Sequence, residues 1–428
     1  MWKMMRLHLL QLLAVHFHGA WVKYARQGIA SLRVVQDDGS GPQHRGRWLL
    51  VDVSILAMYD AGTGIQRVVR SIAIELLRAP PDGFEVKLVR ATRKLDYRHV
   101  ELRCPAGDDD RLPLRTLDLP VNAQRGDIFL GLDFSSRIIP TRLRELLSWR
   151  RIGVKCAFVV YDLIPAQHPQ WFTKKGRGYY QKWLRAISIH SDMLCCISNA
   201  VAVDARHWIS SKFGIGDDEI QLRWFHLGAS FGEAPIEPVQ SVIVQADRGE
   251  AALARSLLMV GTVEPRKGHD QVLCAVEELW RRGCDVVLVV AGRQGWNVES
   301  FAARLRAHPE NGKRIVWLEN VSDGQLGWLY KNLAGLVMAS MAEGFGLPLV
   351  EAMHYGMPIL ARDLPVFREI AAASAAYFRD DHPIPLADRI YEWMNDQKAE
   401  RTPPIDQTRL LDWQESTNWL ISHLNELA

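Results

Sequence analysis

The sequence predicts an α/β protein of two doubly wound, mainly parallel-sheet domains, and three observations support this fold class. The chain has 428 residues, 48% of them hydrophobic and 24% charged, which suffices for two cores at ~100–200 residues per domain. Short apolar runs alternate with helical patterns in two successive series, as in parallel sheets with helical crossovers. A stretch with scattered prolines and acids, 230–255, separates the two series.

The first series starts near residue 47, where the apolar run 48–53 predicts a buried strand and 65–77 a helix. Further strands are predicted at 86–89, 128–132, 155–161, 193–197 and 222–225. Helices are predicted at 141–149, 172–187 and 199–213. The polar stretch 98–126, which contains Asp108-Asp109-Asp110, is expected to be an irregular, solvated region.

The second series repeats this alternation. Its strands are predicted at 257–263, 285–291, 315–318, 335–339 and 358–361, and its helices at 269–282, 298–307, 322–332, 348–356 and 365–373. We divide the chain into a basic appendage (1–46), a first domain (47–235), a second domain (236–405) and a C-terminal amphipathic helix that could pack back on the first domain (406–428). Because ligands bind beyond the carboxyl ends of such strands, we expect the domains to face an interdomain cleft.

The charge balance argues against a nucleic-acid-binding protein with a uniformly basic face, since 52 Lys and Arg stand against 49 Asp and Glu. The surplus is local, because residues 1–48 have a net charge of +5 and the remaining 380 residues a net charge of −2. Six cysteines form no Cys-x-x-Cys pair, and most lie in apolar runs such as 193–197. They are expected to be reduced core residues of a cytoplasmic protein.

The appendage has two alternative placements. Its apolar run, 7–22, is shorter than the ~20 residues of a membrane-spanning helix, and no clear signal-peptide cleavage site follows it. On a helical projection Leu9, Phe17 and Trp21 share one arc, with Gln11 among the residues opposite. This pattern favours peripheral contact of residues 1–46 with an anionic membrane. The alternative is a helix packed on the body of the protein.

The most informative stretch, 340–353, reads Ser-Met-Ala-Glu-Gly-Phe-Gly-Leu-Pro-Leu-Val-Glu-Ala-Met. A predicted strand ends at its start, and the glycines at 344 and 346 allow a ligand to approach the backbone closely. Amides at the start of the following helix would face an anionic phosphate. Glu343 in the loop and Glu351 one turn inside the helix could accept hydrogen bonds from hydroxyls at two depths of a cleft. This arrangement suits binding of a nucleotide-sugar better than hydrolysis by a paired acid and base.

A second stretch, 260–269, places two cations between a strand and a helix. Arg266 offers a fork of donors and Lys267 a point charge, a combination suited to a diphosphate. Such cations stabilise the charge that develops on a departing nucleoside diphosphate.

Together these residues resemble the retaining GT-B glycosyltransferases of family four, the glycosyl transferases group 1 set. The resemblance covers about 257–380 and includes 261–268, Val321-Ser322-Asp323, Leu329-Tyr330 and 343–352. It implies two Rossmann-like domains, an acceptor-side first domain and a second domain that binds the nucleotide-sugar. It also implies retention at the anomeric carbon and no required metal.

The resemblance also assigns roles to residues. Arg266 and Lys267 would hold the donor diphosphate, Glu343 and the Phe345-Gly346 backbone the transferred sugar, and Glu351 the ribose hydroxyls. Gly292, Arg293 and Val321 would lie near the base, and Leu347 belongs to the same nucleotide-sugar-binding set.

The first domain carries weaker motifs. Gly62 and Gly64 follow the first strand and open a helix, so they are candidates for the phosphate side of the cleft, with an ordinary turn as the alternative. Asp162 closes a predicted strand, and with Asp133 it is a candidate for sugar or acceptor contact; either could instead cap a helix. Many relatives have a histidine where this chain has Tyr161, which puts a histidine role near the sugar in doubt.

The motifs of the first domain look like those of bacterial O-antigen and exopolysaccharide mannosyltransferases. The expected activity is transfer of a hexose, mannose from GDP-mannose, to a lipid-linked or growing polysaccharide acceptor at the cytoplasmic face of the membrane. The alternatives are a UDP-glucose-type donor, a nucleotide-sugar epimerase or glycan phosphorylase of the same architecture, or a membrane-attached scaffold without activity.

The sequence gives little support for a metal site. No His-Glu-x-x-His or comparable cluster occurs among the fourteen histidines, and Asp108-Asp109-Asp110 lacks a flanking apolar strand. His226 is expected to be a near-core residue whose polar atoms are satisfied. No cofactor is expected apart from the nucleotide-sugar, which is the donor substrate.

Overall fold

A computed structural model describes residues 2–17, 19–32, 46–102, 114–229, 236–239 and 250–428. The chain forms two compact units. The N-terminal unit comprises Met1–Gln167, Lys174–Gly228 and Leu411–Ala428, and the C-terminal unit comprises His168–Thr173 and Ala229–Leu410. The expected loop at Asp108-Asp109-Asp110, Cys104 and most of the predicted linker 230–255 lie outside the described residues.

One sheet forms the centre of the N-terminal unit. Its strands within the described residues are β1 (Arg47–Asp52), β2 (Phe84–Arg90), β3 (Arg98–Leu102), β4 (Leu114–Pro120), β5 (Ile128–Gly131), β6 (Lys155–Val160), β7 (Met193–Cys196) and β8 (Gln221–Trp224). The order across the sheet is β4-β3-β2-β1-β5-β6-β7-β8. All pairs are parallel except β2 with β3 and β3 with β4. The order reverses between β1 and β5, which is the switch point where doubly wound sheets bind ligands.

Helices connect these strands. They are α1 (Trp2–His16), α2 (Val22–Ala30), α3 (Gly64–Arg78), α4 (Leu143–Ile152), α5 (Ile164–Gln167), α6 (Lys174–His190) and α7 (Asn199–Phe213). Thr63 caps α3 in a capping box with Gln66, which explains why the helix begins directly after the glycine turn. The last helix of the chain (Trp413–Asn425), which follows those of the C-terminal unit, packs against α3 of this unit.

The C-terminal unit has a second parallel sheet. Its strands are β9 (Ser256–Val260), β10 (Val287–Ala291), β11 (Ile315–Leu318), β12 (Gly335–Met338), β13 (Ile359–Arg362) and β14 (Ala376–Phe378), in the order β11-β10-β9-β12-β13-β14. Its helices are α8 (Glu250–Leu253), α9 (His269–Arg281), α10 (Glu299–Ala307), α11 (Asp323–Asn332), α12 (Leu347–His354), α13 (Pro365–Ala371) and α14 (Pro383–Lys398). Here the switch point lies between β9 and β12.

The predicted fold class of two doubly wound α/β domains is confirmed, with some corrections to the elements. The stretch 98–126 is not irregular throughout, because β3 and β4 extend the first sheet as antiparallel strands. The sequence reading also missed β14 and the 16-residue helix α14. The interdomain cleft stays a prediction.

The first two helices pack on the N-terminal unit. Leu7, Ala14 and Val15 of α1 are buried, and Gln11 hydrogen bonds to the His190 ring at 2.8 Å and to the Leu143 carbonyl at 3.1 Å. The sequence reading placed Gln11 on the exposed polar side, which is wrong, since its partner lies 179 residues away on α6.

The cysteines in the described part of the chain are free, and Cys156, Cys195 and Cys196 are fully buried. Burial raises the pKa of the Cys156 thiol to about 12, so it stays protonated. Within the described ranges no helix is long and apolar enough to cross a membrane.

Candidate active site

The two informative stretches meet at one edge of the second sheet. Strands β9 and β12 are parallel neighbours, so the loop 261–268 after β9 and the loop 339–346 after β12 leave the sheet at the same edge. The Met341 amide donates to the Arg266 carbonyl oxygen at 2.7 Å and ties the loops together. The predicted candidates Arg266, Lys267 and Glu343 therefore lie together at the switch point.

A compact ionic cluster occupies this edge. Arg266 Nη1 lies 2.7 Å from Glu343 Oε2, and Lys267 Nζ lies 2.5 Å from Glu343 Oε1. Ser340 Oγ donates to Glu343 Oε1 at 2.7 Å. Arg266 also contacts Glu264 through its other terminal nitrogen, at 2.7 Å. The side chains of Arg266 and Lys267 are thus held in a defined orientation before a ligand binds.

The electrostatics of Glu343 follow from this cluster. Burial alone would raise the pKa of Glu343, but the charges and hydrogen bonds of Arg266 and Lys267 lower it to about 2. The carboxylate is therefore ionised at all physiological pH values. It can accept hydrogen bonds from a sugar but cannot serve as a general acid near neutral pH.

Gly268 allows the two loops to come close. Its φ is +73°, and a Cβ there would lie 2.4 Å from the Ala339 carbonyl oxygen. Only glycine fits both the left-handed conformation and this separation. Gly268 also precedes α9, so the turn that holds Lys267 ends directly at a helix N-terminus.

The loop after β12 ends at the start of α12. Gly346 adopts a φ of +102° as the N-cap residue, and Leu347 is the first residue of the helix. Phe345 is buried. The loop that carries Glu343 thus ends at a helix N-terminus, a position whose amides suit an anionic or hydroxyl-bearing ligand.

Glu351 lies deeper, one turn inside α12. Its Oε2 accepts a hydrogen bond of 2.7 Å from the Tyr330 hydroxyl of α11, and the residue is only 7% exposed. The Tyr330 ring stacks on Tyr355 with a centroid separation of 5.7 Å. Tyr330 therefore fixes the orientation of the carboxylate.

The remaining candidates of this unit lie in the loops after β10 and β11, the next two strands from β9 toward the edge of the sheet. Gly292 directly follows β10, and a Cβ there would lie 2.0 Å from the Gly261 carbonyl oxygen, so this glycine lets the loops after β9 and β10 touch. The Arg293 side chain is exposed beside it. Val321, beyond β11, is partly exposed and precedes the capping box that starts α11.

The candidates of the N-terminal unit lie at its own switch point. Gly62, with a φ of +65°, lies in the turn between β1 and α3, and Gly64 is the first residue of α3; both are exposed. Beside this turn lies a cavity of about 520 Å³, lined mainly by apolar and aromatic groups and by three exposed cations. The cations are Arg93, Arg137 and Lys175.

Asp133 and Asp162 have local structural roles. Asp133 Oδ2 accepts hydrogen bonds from the Ile55 and Leu56 amides at 2.7 and 2.8 Å and thereby shapes the cavity floor. Burial, and then the nearby Asp52 charge, raise the pKa of Asp133 to about 7. Asp162 Oδ1 caps the Ile164 amide at 3.0 Å while the residue remains partly exposed.

Two aromatic candidates lie away from reactive positions. Tyr161 is buried, and its hydroxyl donates to the Leu132 carbonyl oxygen at 2.8 Å, so it has a structural partner inside the unit. His226 is half-buried against Trp419, with ring centroids 5.5 Å apart, as a near-core residue.

From the sequence, no role was assigned to four residues that support the cluster. Ser340, Glu264 and Gly268 lie in the two informative stretches and Tyr330 in the Leu329-Tyr330 motif, and all four orient the predicted candidates. Glu264 and Gly268 flank the Arg-Lys pair and could have been found from the motif itself. Tyr330 lies 21 residues before Glu351, and no spacing rule joins them.

The site can neutralise and orient an anion through Arg266 and Lys267 while presenting carboxylate oxygens to hydroxyl groups. Residues 247–408 match the family model of glycosyl transferases group 1.

Residues 247–408 form a glycosyl transferases group 1 domain. All candidates of the second sheet fall inside this domain, so the predicted resemblance to glycosyl transferases group 1 is confirmed for this part of the chain.

Curated relatives extend the similarity beyond this domain. The chain is 38% identical over 384 residues to the serotype-specific mannosyltransferase WbdA of Escherichia coli, a match that covers 89% of this chain and 45% of the relative. It is 23% identical over 222 residues to the O-antigen chain mannosyltransferase RfbU of Salmonella typhimurium, covering 52% and 56% of the two chains. The chain thus spans about half the length of these relatives.

Solved structures support the two-domain fold. HepE of Anabaena, crystallised with UDP and glucose, superimposes with a TM-score of 0.60 at 13% identity and covers 89% of this chain and 100% of its own. Sucrose-phosphate synthase of Thermosynechococcus elongatus gives a TM-score of 0.59 at 14% identity, covering 89% and 99%. The glycosyltransferase domain is therefore part of a GT-B fold.

Proposed function

We propose that the protein is a retaining hexosyltransferase that moves mannose from GDP-mannose to a lipid-linked or growing polysaccharide acceptor in cell-surface glycan synthesis. The observation that carries the proposal is the cluster of Arg266, Lys267 and Glu343 at the switch point of the glycosyltransferase domain. The proposed place of action is the cytoplasmic side of the membrane, reached by peripheral contact.

In the proposed reaction the acceptor hydroxyl attacks the anomeric carbon on the face from which the diphosphate departs. The bond from the anomeric carbon to the diphosphate oxygen breaks with both electrons leaving on that oxygen, and the new glycosidic bond forms. The hydroxyl proton passes to the departing phosphate oxygen, so no side chain has to act as the base. Arg266 and Lys267 stabilise the developing negative charge, and we propose that no metal is required.

Glu343 and Glu351 have separate proposed roles in binding the donor. Glu343, ionised and fixed by two cations, accepts hydrogen bonds from hydroxyls of the transferred sugar. Glu351, oriented by Tyr330, accepts them from the ribose, while Gly292, Arg293 and Val321 lie toward the base. The amides at Phe345, Gly346 and Leu347 complete the donor site.

The named relatives favour mannose over glucose as the sugar. WbdA and RfbU are mannosyltransferases, and a further relative, 26% identical over 174 residues, is the GDP-mannose:cellobiosyl-diphosphopolyprenol alpha-mannosyltransferase of Xanthomonas oryzae. That name also supports a lipid-diphosphate acceptor. HepE, in contrast, has been solved with UDP-glucose, so UDP-glucose is the competing donor.

The N-terminal unit supplies the proposed acceptor side. Its cavity lies beside Gly62, Gly64 and the Asp133 carboxylate, and its aromatic walls and three cations suit a sugar close to a phosphate group. Asp162, at the end of the neighbouring strand β6, is a proposed contact of the reacting groups.

A donor panel tests this function directly. The full chain is incubated with GDP-mannose, UDP-glucose and related nucleotide-sugars, and stabilisation against heat is measured with and without a polyprenyl-diphosphate-linked acceptor. GDP-mannose is expected to stabilise the protein most, by about 3 kcal/mol at 100-fold excess over its Kd. Transfer should yield an α-mannoside, because GDP-mannose is itself α-linked. Lys267→Ala removes a proposed diphosphate contact and should lower transfer. Arg314→Ala, which removes an ion-paired arginine elsewhere in the domain, is its control and should leave transfer unchanged.

The alternatives make different predictions in the same assay. An epimerase would release the nucleoside diphosphate or change the sugar without an acceptor, and a phosphorylase would need a lysine-bound pyridoxal phosphate with its own absorbance band. A scaffold would bind no nucleotide-sugar. Inversion at the anomeric carbon, or full activity of Lys267→Ala, would contradict the proposed mechanism.

A further inference from the structure

The first two helices and the turn between them expose large apolar side chains. Trp2, Leu9 and Phe17 are 70%, 57% and 72% exposed. The complete set, here called the aromatic face, is Trp2, Met5, Leu9, Phe17, Trp21 and Tyr24. Residues 2, 5 and 9 are spaced by three and four positions, so they form one stripe along α1. Exposed apolar side chains grouped in this way mark an interaction surface.

The opposite side of the same helices is fixed to the protein. Besides the buried residues of α1, Arg26 of α2 is largely buried and donates to the carbonyl oxygens of Ser188 and Ser191 at 3.1 and 2.7 Å. The aromatic face is therefore held in one orientation, and a partner does not have to order it on binding.

Cations surround the aromatic face. Helices α1, α2, α4 and α6 pack against one another and together contain twelve Lys and Arg but a single acid, Glu145. Arg26, Arg150 and Arg185 make contacts inside the unit. Six of the others are exposed, namely Lys3, Arg6, Arg144, Arg151, Lys174 and Lys175. The basic surplus therefore extends from the N-terminal segment onto two helices of the sheet domain.

Contacts of α1 show that these cations border it directly. Burial and then the charge of Arg144 lower the pKa of His8, and burial and then Lys182 lower that of His16. The Arg6 guanidinium lies over the Trp2 ring, 5.6 Å from its centroid. Arg144 of α4 and Lys182 of α6 therefore lie near α1, and Arg6 lies against the exposed Trp2 ring.

We propose that the aromatic face and its surrounding cations dock the protein on an anionic lipid bilayer. Trp and Tyr favour the headgroup region, Leu and Phe enter the acyl boundary, and Lys and Arg attract anionic headgroups. The six exposed cations complement a negatively charged layer, and the lack of carboxylates in 1–32 removes repulsion. The docking keeps the protein beside an acceptor carried by a lipid, but it does not depend on the transfer reaction.

The test measures co-sedimentation of the full chain with two kinds of vesicle, phosphatidylcholine alone and phosphatidylcholine mixed with phosphatidylglycerol. Wild type is expected to bind only the mixed vesicles, and binding should weaken as salt is added. Leu9→Ser with Phe17→Ser should lower the affinity at least about thirtyfold. The control, Ile384→Ser with Tyr391→Ser, changes two exposed apolar residues of the C-terminal unit and should bind normally.

A second pair of variants tests the contribution of the cations. Lys3→Gln with Arg6→Gln should lower the affinity for mixed vesicles about 25-fold at low salt, whereas Lys313→Gln with Lys331→Gln should not. GDP binding by calorimetry should be unchanged in all variants, which separates a failure of docking from a failure of the proposed function. Equal binding to both vesicle types, or unchanged binding of the two N-terminal variants, would overturn the proposal. A dimer in solution that Leu9→Ser with Phe17→Ser dissociates, without vesicle binding, would instead make the face a self-association interface.

Discussion

Replacement of Glu343 by glutamine separates donor binding from sugar transfer. Glutamine keeps the shape and the acceptor oxygen of the side chain but removes the charge that Arg266 and Lys267 share. The two cations then remain near each other, largely buried, without their common counter-charge. A diphosphate supplies that charge again, so the variant should bind GDP at least as tightly as wild type. Transfer should fall by at least about a hundredfold, since the sugar loses its anionic contact.

The structure gives the size of the effect on stability. The pKa of Glu343 falls from its usual 4.5 to about 2, which corresponds to about 3 kcal/mol of preference for the carboxylate form. Removal of one partner of a buried ion pair costs about 3–5 kcal/mol, so both routes give about 3 kcal/mol at pH 7. Because the folded pKa is lowered, this contribution is present above pH 4.5 and is lost as the pH falls toward 2.

Urea denaturation at pH 7 measures the loss, and calorimetry with GDP measures the binding. Glu310→Gln is the matched control, because Glu310 pairs with Arg314 at 2.7 Å in the same unit but more exposed, and its loss should cost at most about 1 kcal/mol. An E343Q variant with wild-type stability and wild-type transfer would refute both the ionic cluster and its proposed role. Weaker GDP binding would show that Glu343 assists diphosphate binding instead of competing with the diphosphate for Arg266 and Lys267.

Three further predictions follow from single contacts. Tyr330→Phe removes the 2.7 Å hydrogen bond to Glu351 and should raise the KM for the donor roughly tenfold with little change in kcat; an unchanged KM in initial-rate measurements would contradict this. Gly268→Ala should destabilise the protein in urea by at least about 2 kcal/mol more than Gly312→Ala, because both glycines have a positive φ but only at 268 would a Cβ meet a carbonyl oxygen. Asp133→Asn should become more stable relative to wild type by about 2 kcal/mol between pH 5 and 8, because ionisation of a buried acid with a pKa of about 7 costs wild type stability as the pH rises; parallel pH profiles would contradict this.

The order of strands and helices could be predicted because each buried strand is a short apolar run with turn residues at its end. Strand β11 begins and ends at the predicted residues 315 and 318, and the helix predicted at 199–213 is α7. The edges of the sheets were less predictable. Strand β4 is largely exposed, so its sequence lacks the apolar run that identifies a central strand.

The contacts within the site show where sequence reasoning ends. The strand–loop–helix pattern placed Arg266 and Glu343 at strand ends, and neighbouring strands brought them together. That Glu343 binds both cations could not be predicted, because it depends on the Met341–Arg266 backbone contact and on the Cβ-free approach at Gly268. The prediction for Gln11, which pairs with His190, was wrong for the same reason. Periodicity places a residue on a helix face but does not say which face a distant helix will cover.

The switch points explain why sparse motifs still located both sites. At a switch point two adjacent strands send their loops to opposite faces, which leaves a crevice that side chains do not fill. In the C-terminal unit this occurs between β9 and β12, where Arg266 and Glu343 lie. In the N-terminal unit it occurs between β1 and β5, where Asp133 and the neighbours of Gly62, Ala61 and Thr63, line the cavity. A motif at the end of a switch-point strand is therefore stronger evidence for a ligand site than the same residues elsewhere. By this criterion Gly62 and Gly64 have a better claim to a ligand than Asp162, whose strand β6 lies one position away from the switch point and whose carboxylate caps α5.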